Sequence, residues 1–547
     1  MKYYIIMRLI NKFLVFCLTG MFVLTSCETM ELDLTSNPNA LTPEQASSDF
    51  FLNAVQEDFA SWVHSMGDRG AELTRISYMS GRNYDQVYSP TSWDGLWASA
   101  YQGMLQDILL MEQLESTTPF AKGMGKVFRA YIYMTLVDFF GDVPVQGVGE
   151  ALQANEGVLN PVATGGAEVY SYVISELDAA IADFSNSGSA RPQYDFFYNG
   201  NASKWIKAAN SLKKKAYLNT RNFSGYNGIT DYIDEPSEDF QFTWGTNQAT
   251  PDTRHPYYRG NYTATGGGEY MSNWLMGKML NSFNGVKDPR MVYYYYRQVR
   301  YVPGFGADPD EEVLECGLPG YYNPYPAGMT FCAVEEGYWG RDHGNDNGTP
   351  PDGFLRTLRG VYPGGGAMDT YDSDPGTDGR PKSLGDGLGG AGITPIFLSS
   401  WQHFMNAEVA LASNDLATVK AMTRKGIEIS INKVDDMGGD PLDSAQVGAF
   451  LASFDVVWDS ASTSEKLNIW AEQFFISMAG NGIDGYNSYR RNGLPSNIQP
   501  NLEPNPGSYP VSQWYPANYT TNNSNATQKS DKTGRVFWNA SDNTNLY

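Results

Sequence analysis

The stretch that decides the fold is residues 126–144, KVFRAYIYMTLVDFFGDVP. Its apolar side chains recur at the three- and four-residue spacing of one helical face. They are Val127, Ala130, Tyr131, Met134 and Val137. This spacing predicts an amphipathic α-helix. The helix should end at Gly141, which permits a sharp turn, and Pro144 prevents it from resuming.

Three further stripes with the same spacing flank this helix. They are Trp97, Ala100, Tyr101, Met104, Leu105 and Ile108; Tyr170, Val173, Ile174, Leu177, Ile181 and Phe184; and Trp205, Ala208, Ala209, Leu212 and Ala216. Residues 117–119 (Thr-Thr-Pro) separate the first stripe from Val127, so these two helices should form an antiparallel hairpin. The last two stripes predict a second hairpin. The sequence therefore predicts a mainly α fold with a tetratricopeptide-like scaffold of helical hairpins, although no clean repeat is present.

The character of the chain changes between about residues 223 and 394, where Gly, Pro, Tyr, Asn and Asp are abundant. A short helical stripe near Met271 to Leu280 remains, and the apolar and aromatic run Met291–Tyr296 predicts a strand. We therefore expect residues 223–394 to form a loop-rich second lobe with short strands. Long structured loops often carry function.

Helical patterns then return, at Trp401 to Val409, about 416–431 and about 463–479. The 44–547 region should therefore combine a helical scaffold, 44–222 and 395–494, with the loop-rich lobe. The tail 495–547, rich in Asn, Pro and Tyr, should wrap over the surface.

The amino terminus has the order of a lipoprotein signal peptide. Basic residues precede an apolar run from Phe13 to Leu24, which ends in Leu24-Thr25-Ser26-Cys27. The run is too short to span a bilayer, so residues 1–26 are expected to be removed and Cys27 acylated. Residues 27–43 would be a polar tether. The alternative is a plain secreted protein in which Cys27 lies near the cleavage point by chance.

The formal net charge of −23 argues against nucleic acid as a partner. Once Cys17 leaves with the signal and Cys27 is acylated, Cys316 and Cys332 remain. In an exported chain, two cysteines predict one disulfide, although two free buried thiols are the alternative.

Sequence motifs for catalysis are missing. The chain has four histidines and no HExxH, GxSxG or Walker sequence. Residues 385–390 fit GxGxxG but follow no predicted strand, so we expect a loop. The spacing of Asp372, Asp374 and Asp378 resembles part of a calcium loop but departs from the EF-hand, so a structural calcium site is a hypothesis here. No other metal or cofactor is expected. A carboxylate pair of a glycan hydrolase could still form in space.

Several strings together resemble the SusD/RagB family of outer-membrane nutrient-binding lipoproteins, in its SusD-like branch. They are residues 129–144, Asp195-x-x-Tyr198-x-Gly200, Lys204-Trp205, 209–212, Asp288-Pro289-Arg290-Met291, the segments 338–344 and 350–353, and 485–495, GYNSYRRNGLP. Asn492 and Leu494 depart from the usual Thr and aromatic residue. The acidic residues after Cys27 also resemble a surface-export signal, or merely keep the tether solvated. Most motif residues, including Asp142, Arg490 and Arg491, should be structural, bonding freed amides, buried carboxylates or loop carbonyls.

The resemblance implies a non-catalytic, lipid-anchored protein on the outer face of the outer membrane. It would bind oligosaccharides and act as the lid of a TonB-dependent, SusC-like importer. Aromatic and polar loops give the candidate ligand contacts, with Tyr321, Tyr322 and Tyr325 as a weaker set. The main candidates are Arg82, Asn83, Tyr84, Trp93, Trp339, Arg341, Asp342 and His343. The 338–343 string has a structural alternative as a polar network. Other functional alternatives are a peptide-binding RagB-like lid, a surface-anchored glycan hydrolase and a purely structural surface protein.

Overall fold

The computed structural model describes residues 47–145, 160–264, 267–298, 337–338, 340–346, 356–369, 384–438, 441–501 and 503–539. Several predictions lie outside these residues. They concern the signal segment 1–26, Cys27 and the tether 27–43, the cysteines Cys316 and Cys332, and the calcium candidates Asp372, Asp374 and Asp378.

Helices dominate the described part of the chain. In chain order they are α1 (Ser48–Leu73), α2 (Tyr84–Val87), α3 (Asp94–Ala98), α4 (Leu105–Gln113), α5 (Pro119–Phe140), α6 (Gly166–Phe184), α7 (Ala202–Asn219), α8 (Phe223–Gly228), α9 (Pro256–Asn261), α10 (Asn273–Leu280), α11 (Met291–Tyr294), α12 (Ser399–Ala412), α13 (Leu416–Asp435), α14 (Ser444–Ser460), α15 (Thr463–Ser477), α16 (Ile483–Asn492) and α17 (Ala517–Asn522). Of the helices in these ranges, none is both long and apolar enough to cross a bilayer.

The strands are short and form two antiparallel pairs. They are β1 (Phe240–Thr243), β2 (Tyr295–Tyr296), β3 (Leu358–Arg359) and β4 (Ile393–Phe397). Strand β1 pairs with β4, with Phe240 opposite Phe397, and β2 pairs with β3, with Tyr295 opposite Arg359. Each pair therefore joins segments that are distant in sequence, within or at the edge of the predicted loop-rich region.

Helix α5 begins and ends where the sequence predicts. Thr118 Oγ1 accepts a hydrogen bond from the Ala121 amide over 3.2 Å, and Pro119 occupies the first turn, where its missing N–H is harmless. At the other end Gly141 has φ +85°, which favours glycine. The Asp142 carboxylate accepts from the Gly166 amide at 2.8 Å. The predicted role of Asp142, bonding a free amide, is confirmed.

The helices pack as hairpins, α5 against α6, α6 against α7, and α12 against α13. The predicted mainly α class with a tetratricopeptide-like scaffold is confirmed. The stripe from Trp97 to Ile108 differs in detail, because a π-helical turn over Ser99–Met104 separates α3 from α4. Side-chain spacing at three and four does not reveal such a local widening.

Helix α1 contacts the start of α16 through glycine backbones. A Cβ atom at Gly70 would lie 2.5 Å from the Gly482 carbonyl oxygen. The Gly482 amide donates to the Gly67 carbonyl over 2.9 Å. This close approach joins the first helix of the described chain to the helix that carries the two consecutive arginines.

The strand predicted over Met291–Tyr296 is wrong for its first four residues, which form α11. The amides of Tyr293 and Tyr294 both donate to the Arg290 carbonyl at 3.0 Å. Arg290 is fully buried, and its guanidinium bonds Asp288 in the preceding turn. This anchored turn starts a helix and overrides the strand propensity of the tyrosines, which is strongly context-dependent.

The sequence strings behind the family resemblance contact one another in the core. Arg490 Nη1 donates to the carbonyl oxygens of Asp138 and Val511, both at 2.7 Å, and Trp538 Nε1 donates to the Asp138 carboxylate at 2.9 Å. Arg491 forms a two-bond pair with Glu408. The predicted structural use of these arginines, on carbonyls and a carboxylate, is confirmed. Arg490 also ties residues near the carboxyl end to α5.

Candidate functional site

The two loops predicted to contact a ligand lie together in the structure. Tyr84 Oη is 3.0 Å from His343 Nε2, although 259 residues separate them. Arg82 Nη2 donates to the Asp346 carbonyl over 3.4 Å. These residues lie in two loops that are far apart in the sequence, and the fold brings the two loops into contact.

Local hydrogen bonds hold both loops in place. Asn83 caps α2, because its side-chain oxygen accepts from the Gln86 amide at 2.9 Å. The backbone of Arg341 pairs with the segment before α10, through its amide to the Met271 carbonyl at 2.9 Å. Asn273 Nδ2 donates to the Asp342 carboxylate at 2.9 Å. The start of α10 therefore fixes the second loop.

Tyr84, Asp342 and His343 are buried rather than presented to solvent. Arg75 Nη2 donates to Tyr84 Oη at 3.0 Å, and Arg75 itself has φ +61°. Burial, with the nearby Arg75 charge, lowers the pKa of His343 well below its usual range, so the imidazole is neutral at neutral pH. These contacts match the polar-network alternative for the 338–343 string, and a ligand role for the three residues stays a prediction that requires movement of the loops.

Trp93 also lies inside the core. Its ring stacks on Tyr88 with centroids 6.2 Å apart and meets Phe140 edge to face at 5.3 Å. With no exposed side-chain surface, Trp93 offers no ring face to a ligand in this conformation. Its predicted ligand contact is therefore untested, as is that of Trp339, which lies outside the described residues together with Tyr321, Tyr322 and Tyr325.

A half-buried pair of tyrosines lies beside these loops. The rings of Tyr78 and Tyr270 meet edge to face, with centroids 6.0 Å apart. The guanidinium carbons of Arg341 and Arg356 lie 4.5 Å and 3.9 Å from the centre of the Tyr270 ring. Such cation–π contacts lie over the face of the Tyr270 ring and fix its orientation. We call Tyr78 and Tyr270 the tyrosine pair.

Polar groups surround the tyrosine pair. Tyr78 Oη donates to the Asn345 carbonyl at 2.9 Å, and Arg341 is 3.7 Å from the exposed carboxylate of Asp346. Burial, and next the negative charge of Asp346, raise the pKa of the Tyr78 phenol, so it stays protonated at neutral pH. The exposed Arg82 completes the rim. The site therefore offers partly exposed tyrosine rings beside the exposed Arg82 guanidinium and Asp346 carboxylate, with the buried Arg341 and Arg356 packed behind them.

The sequence pattern indicates Arg82 and Arg341 but not Tyr78, Tyr270 or Arg356. Tyr78 lies only four residues before Arg82, so a wider window would have included it. Tyr270 follows the run Gly266-Gly267-Gly268-Glu269, which gives no signal of a binding surface. Among the described residues, no cluster of three or more His, Cys, Asp or Glu side chains has the geometry to hold a metal ion.

The protein is therefore a scaffold of helical hairpins whose loops carry tyrosine rings and polar groups. A family model described as starch-binding associating with outer membrane, of the SusD-like type, matches residues 38–306. This match confirms the predicted resemblance to the SusD-like family.

Solved structures share the fold across nearly the whole chain. A chitin-binding protein is 17% identical, with a TM-score of 0.61 over 90% of this chain and 100% of its own. A SusD/RagB family protein from Bacteroides thetaiotaomicron is 17% identical, with a TM-score of 0.59 over 90% and 99%. A chitin-binding SusD homolog from Flavobacterium johnsoniae is 15% identical, with a TM-score of 0.57 over 89% and 98%. Among curated proteins, none matches this sequence.

Proposed function

We propose that this chain binds oligosaccharides at the tyrosine pair and delivers them to an outer-membrane importer. The observation that carries the proposal is the arrangement of Tyr78 and Tyr270 beside Arg341, Arg356 and Asp346. The starch-binding description of the family and the chitin-binding relatives support glycans over other ligands.

The chemistry of a sugar matches this arrangement. A pyranose ring has an apolar face of C–H groups that packs on an aromatic ring, and its hydroxyls need both donors and acceptors. Arg82 and Asp346 are exposed at the rim and supply one of each. A neutral sugar needs no net charge at its binding site. Here the charges of the Arg82 guanidinium and the Asp346 carboxylate offset each other.

Capture at the cell surface requires an anchor and a channel. Cys27 would supply the anchor, since multiple acyl chains hold a protein stably on a membrane. The family description supports association with the outer membrane. We infer that the protein covers a SusC-like, TonB-dependent barrel as a lid that opens to take up ligand, and that it has no catalytic role.

Calorimetric titration tests the ligand. The mature protein is titrated with maltohexaose, chitohexaose and a mixed peptide library, and each mixture is assayed for new reducing ends. Saturable heat with an oligosaccharide and no new reducing ends supports the proposal. Heat with peptides alone would favour a RagB-like role, and new reducing ends would favour a hydrolase.

Variants locate the binding. Each lost ring contact should remove about 0.5–1.5 kcal/mol, so Tyr78→Ala with Tyr270→Ala should weaken binding about tenfold. Tyr194→Ala is the matched control, because this tyrosine is 50% exposed and lies near the start of α1, whereas Tyr78 follows its end. Equal weakening by Tyr194→Ala would remove the support for the tyrosine pair.

A further inference from the structure

A second cleft lies between α7, α8, α12 and α13, elements that contribute nothing to the tyrosine pair. Its volume is about 680 Å³, within the range of pockets that enclose a small molecule. Aromatic and aliphatic side chains form much of its wall, among them Phe223, Tyr232, Val409 and Met422. Asn227, Thr230, Asn406 and Thr418 add polar groups.

Lys214 of α7 lines this cleft with only 3% of its surface exposed. Its ammonium donates to the Tyr226 carbonyl at 3.0 Å and contacts the Ile229 carbonyl at 3.4 Å. The nitrogen also lies 3.8 Å and 4.3 Å from the ring centres of Tyr226 and Tyr232. The ammonium is therefore held by two carbonyl oxygens and two ring faces, none of which carries a negative charge.

The charge of Lys214 is not neutralised within the described chain. No described carboxylate lies within 4.0 Å of its nitrogen, whereas the other buried lysines each have one. Lys215 is 2.9 Å from Asp484, Lys433 is 2.8 Å from Asp239, and Lys532 is 2.6 Å from Asp85. Buried charges are normally paired, so Lys214 departs from the pattern of the other buried lysines.

The surroundings favour an anion at this point. None of the described residues that line the cleft is acidic, in a chain whose formal net charge is −23. Burial lowers the pKa of Lys214 to about 8, which is the expected effect when a cation lacks a counter-charge. A bound anion would supply that charge, and the apolar wall would contact the rest of the ligand.

We propose that this cleft is a second binding site, for a small ring-bearing carboxylate such as a uronic acid, whose carboxylate pairs with the Lys214 ammonium. The site is independent of the tyrosine pair. The ring of the ligand would pack on the aromatic wall, and the amide and hydroxyl side chains at the mouth would bond its hydroxyls.

Titration of the mature protein with D-galacturonate and D-glucuronate, against D-galactose and D-glucose, tests the proposal. The acids should bind saturably and at least tenfold more tightly than the neutral sugars, because charge-assisted hydrogen bonds are about twice as strong as neutral ones. Affinity should fall as the pH rises above about 8, where Lys214 loses its proton. No preference for the acids would overturn the proposal.

Variants assign the effect to the cleft. Lys214→Met should weaken binding of the acids at least tenfold, and Ala412→Trp should do the same by filling the cleft at an exposed lining position, without removing the lysine. Lys213→Met is the matched control. It removes the same positive charge from α7, but Lys213 pairs with Asp178 and does not line the cleft.

Equal losses in Lys214→Met and Lys213→Met would show a bulk charge effect, and unchanged binding in both cleft variants would likewise overturn the site. Removal of the rings of Tyr78 and Tyr270 should not change binding of the acids. Failure of oligosaccharide binding and failure of uronate binding are therefore separate results.

Discussion

The buried pair formed by Arg491 and Glu408 should contribute strongly to the stability of the scaffold. Arg491 Nε and Nη2 donate to the two carboxylate oxygens, each at 2.7 Å, and Asn492 Nδ2 adds a third bond at 2.8 Å. The side chains are 3% and 7% exposed. The pair joins α16 to α12, and Arg491 also bonds Asn219 at the end of α7.

We predict that Arg491→Met destabilises the protein by about 3–5 kcal/mol, because it leaves the Glu408 carboxylate buried without its cation. Methionine is flexible and fills much of the same space, so a packing defect contributes little. In the double variant Arg491→Met with Glu408→Met, no charge is left unpaired. The double variant should therefore recover most of the loss, since apolar replacement of both partners is often nearly neutral.

Urea unfolding followed by circular dichroism and by tryptophan fluorescence measures both effects. Lys213→Met is the control, because the partner of Lys213, Asp178, is 57% exposed and surface pairs contribute at most about 1 kcal/mol. The prediction is refuted if Arg491→Met lowers the free energy of unfolding no more than Lys213→Met does. It is also refuted if the double variant is as unstable as Arg491→Met alone.

Three further outcomes follow from the structure. Burial lowers the pKa of His64 to about 4. The neutral imidazole therefore contributes about 3 kcal/mol at most to stability, which is complete above pH 6.5 and lost as the pH falls towards 4. Across this range the melting temperature of His64→Phe should decline less steeply than that of the unmodified protein. Gly70→Ala should lower the melting temperature, because its Cβ would lie 2.5 Å from a backbone oxygen. Gly95→Ala, with open space around the Cβ, should be neutral or stabilising. A smaller drop in melting temperature for Gly70→Ala than for Gly95→Ala would contradict the packing of α1 on α16. Cys27→Ala should move the folded protein from the membrane to the soluble fraction on cell fractionation, and retention in the absence of a barrel partner would contradict lipid anchoring.

The helical scaffold could be predicted because its signal is local. Each stripe of apolar residues lies on one helix, and the end of α5 depends on Thr118, Pro119 and Gly141 within the same stretch. The fold of Met291–Tyr296 could not be predicted in this way. Its first turn depends on the buried Arg290, whose guanidinium contacts Ser430 and Gln473 from α13 and α15.

The candidate site was predictable only in part, for the same reason. Composition indicated the right loops, at Arg82 and Arg341, because aromatic and polar residues are mixed there. It could not show that Tyr84 and His343 face each other in the interior, or that Tyr270 approaches from a glycine-rich segment far along the chain. Burial and long-range contact depend on the whole fold, and neither has a local pattern in the sequence.

The most direct test of the central claim is the affinity of one neutral oligosaccharide, maltohexaose or chitohexaose, for three proteins: the mature chain, the Tyr78→Ala/Tyr270→Ala variant and Tyr194→Ala. We expect saturable binding to the first and third proteins, and about tenfold weaker binding to the second. Undiminished binding when both rings of the pair are absent would contradict it.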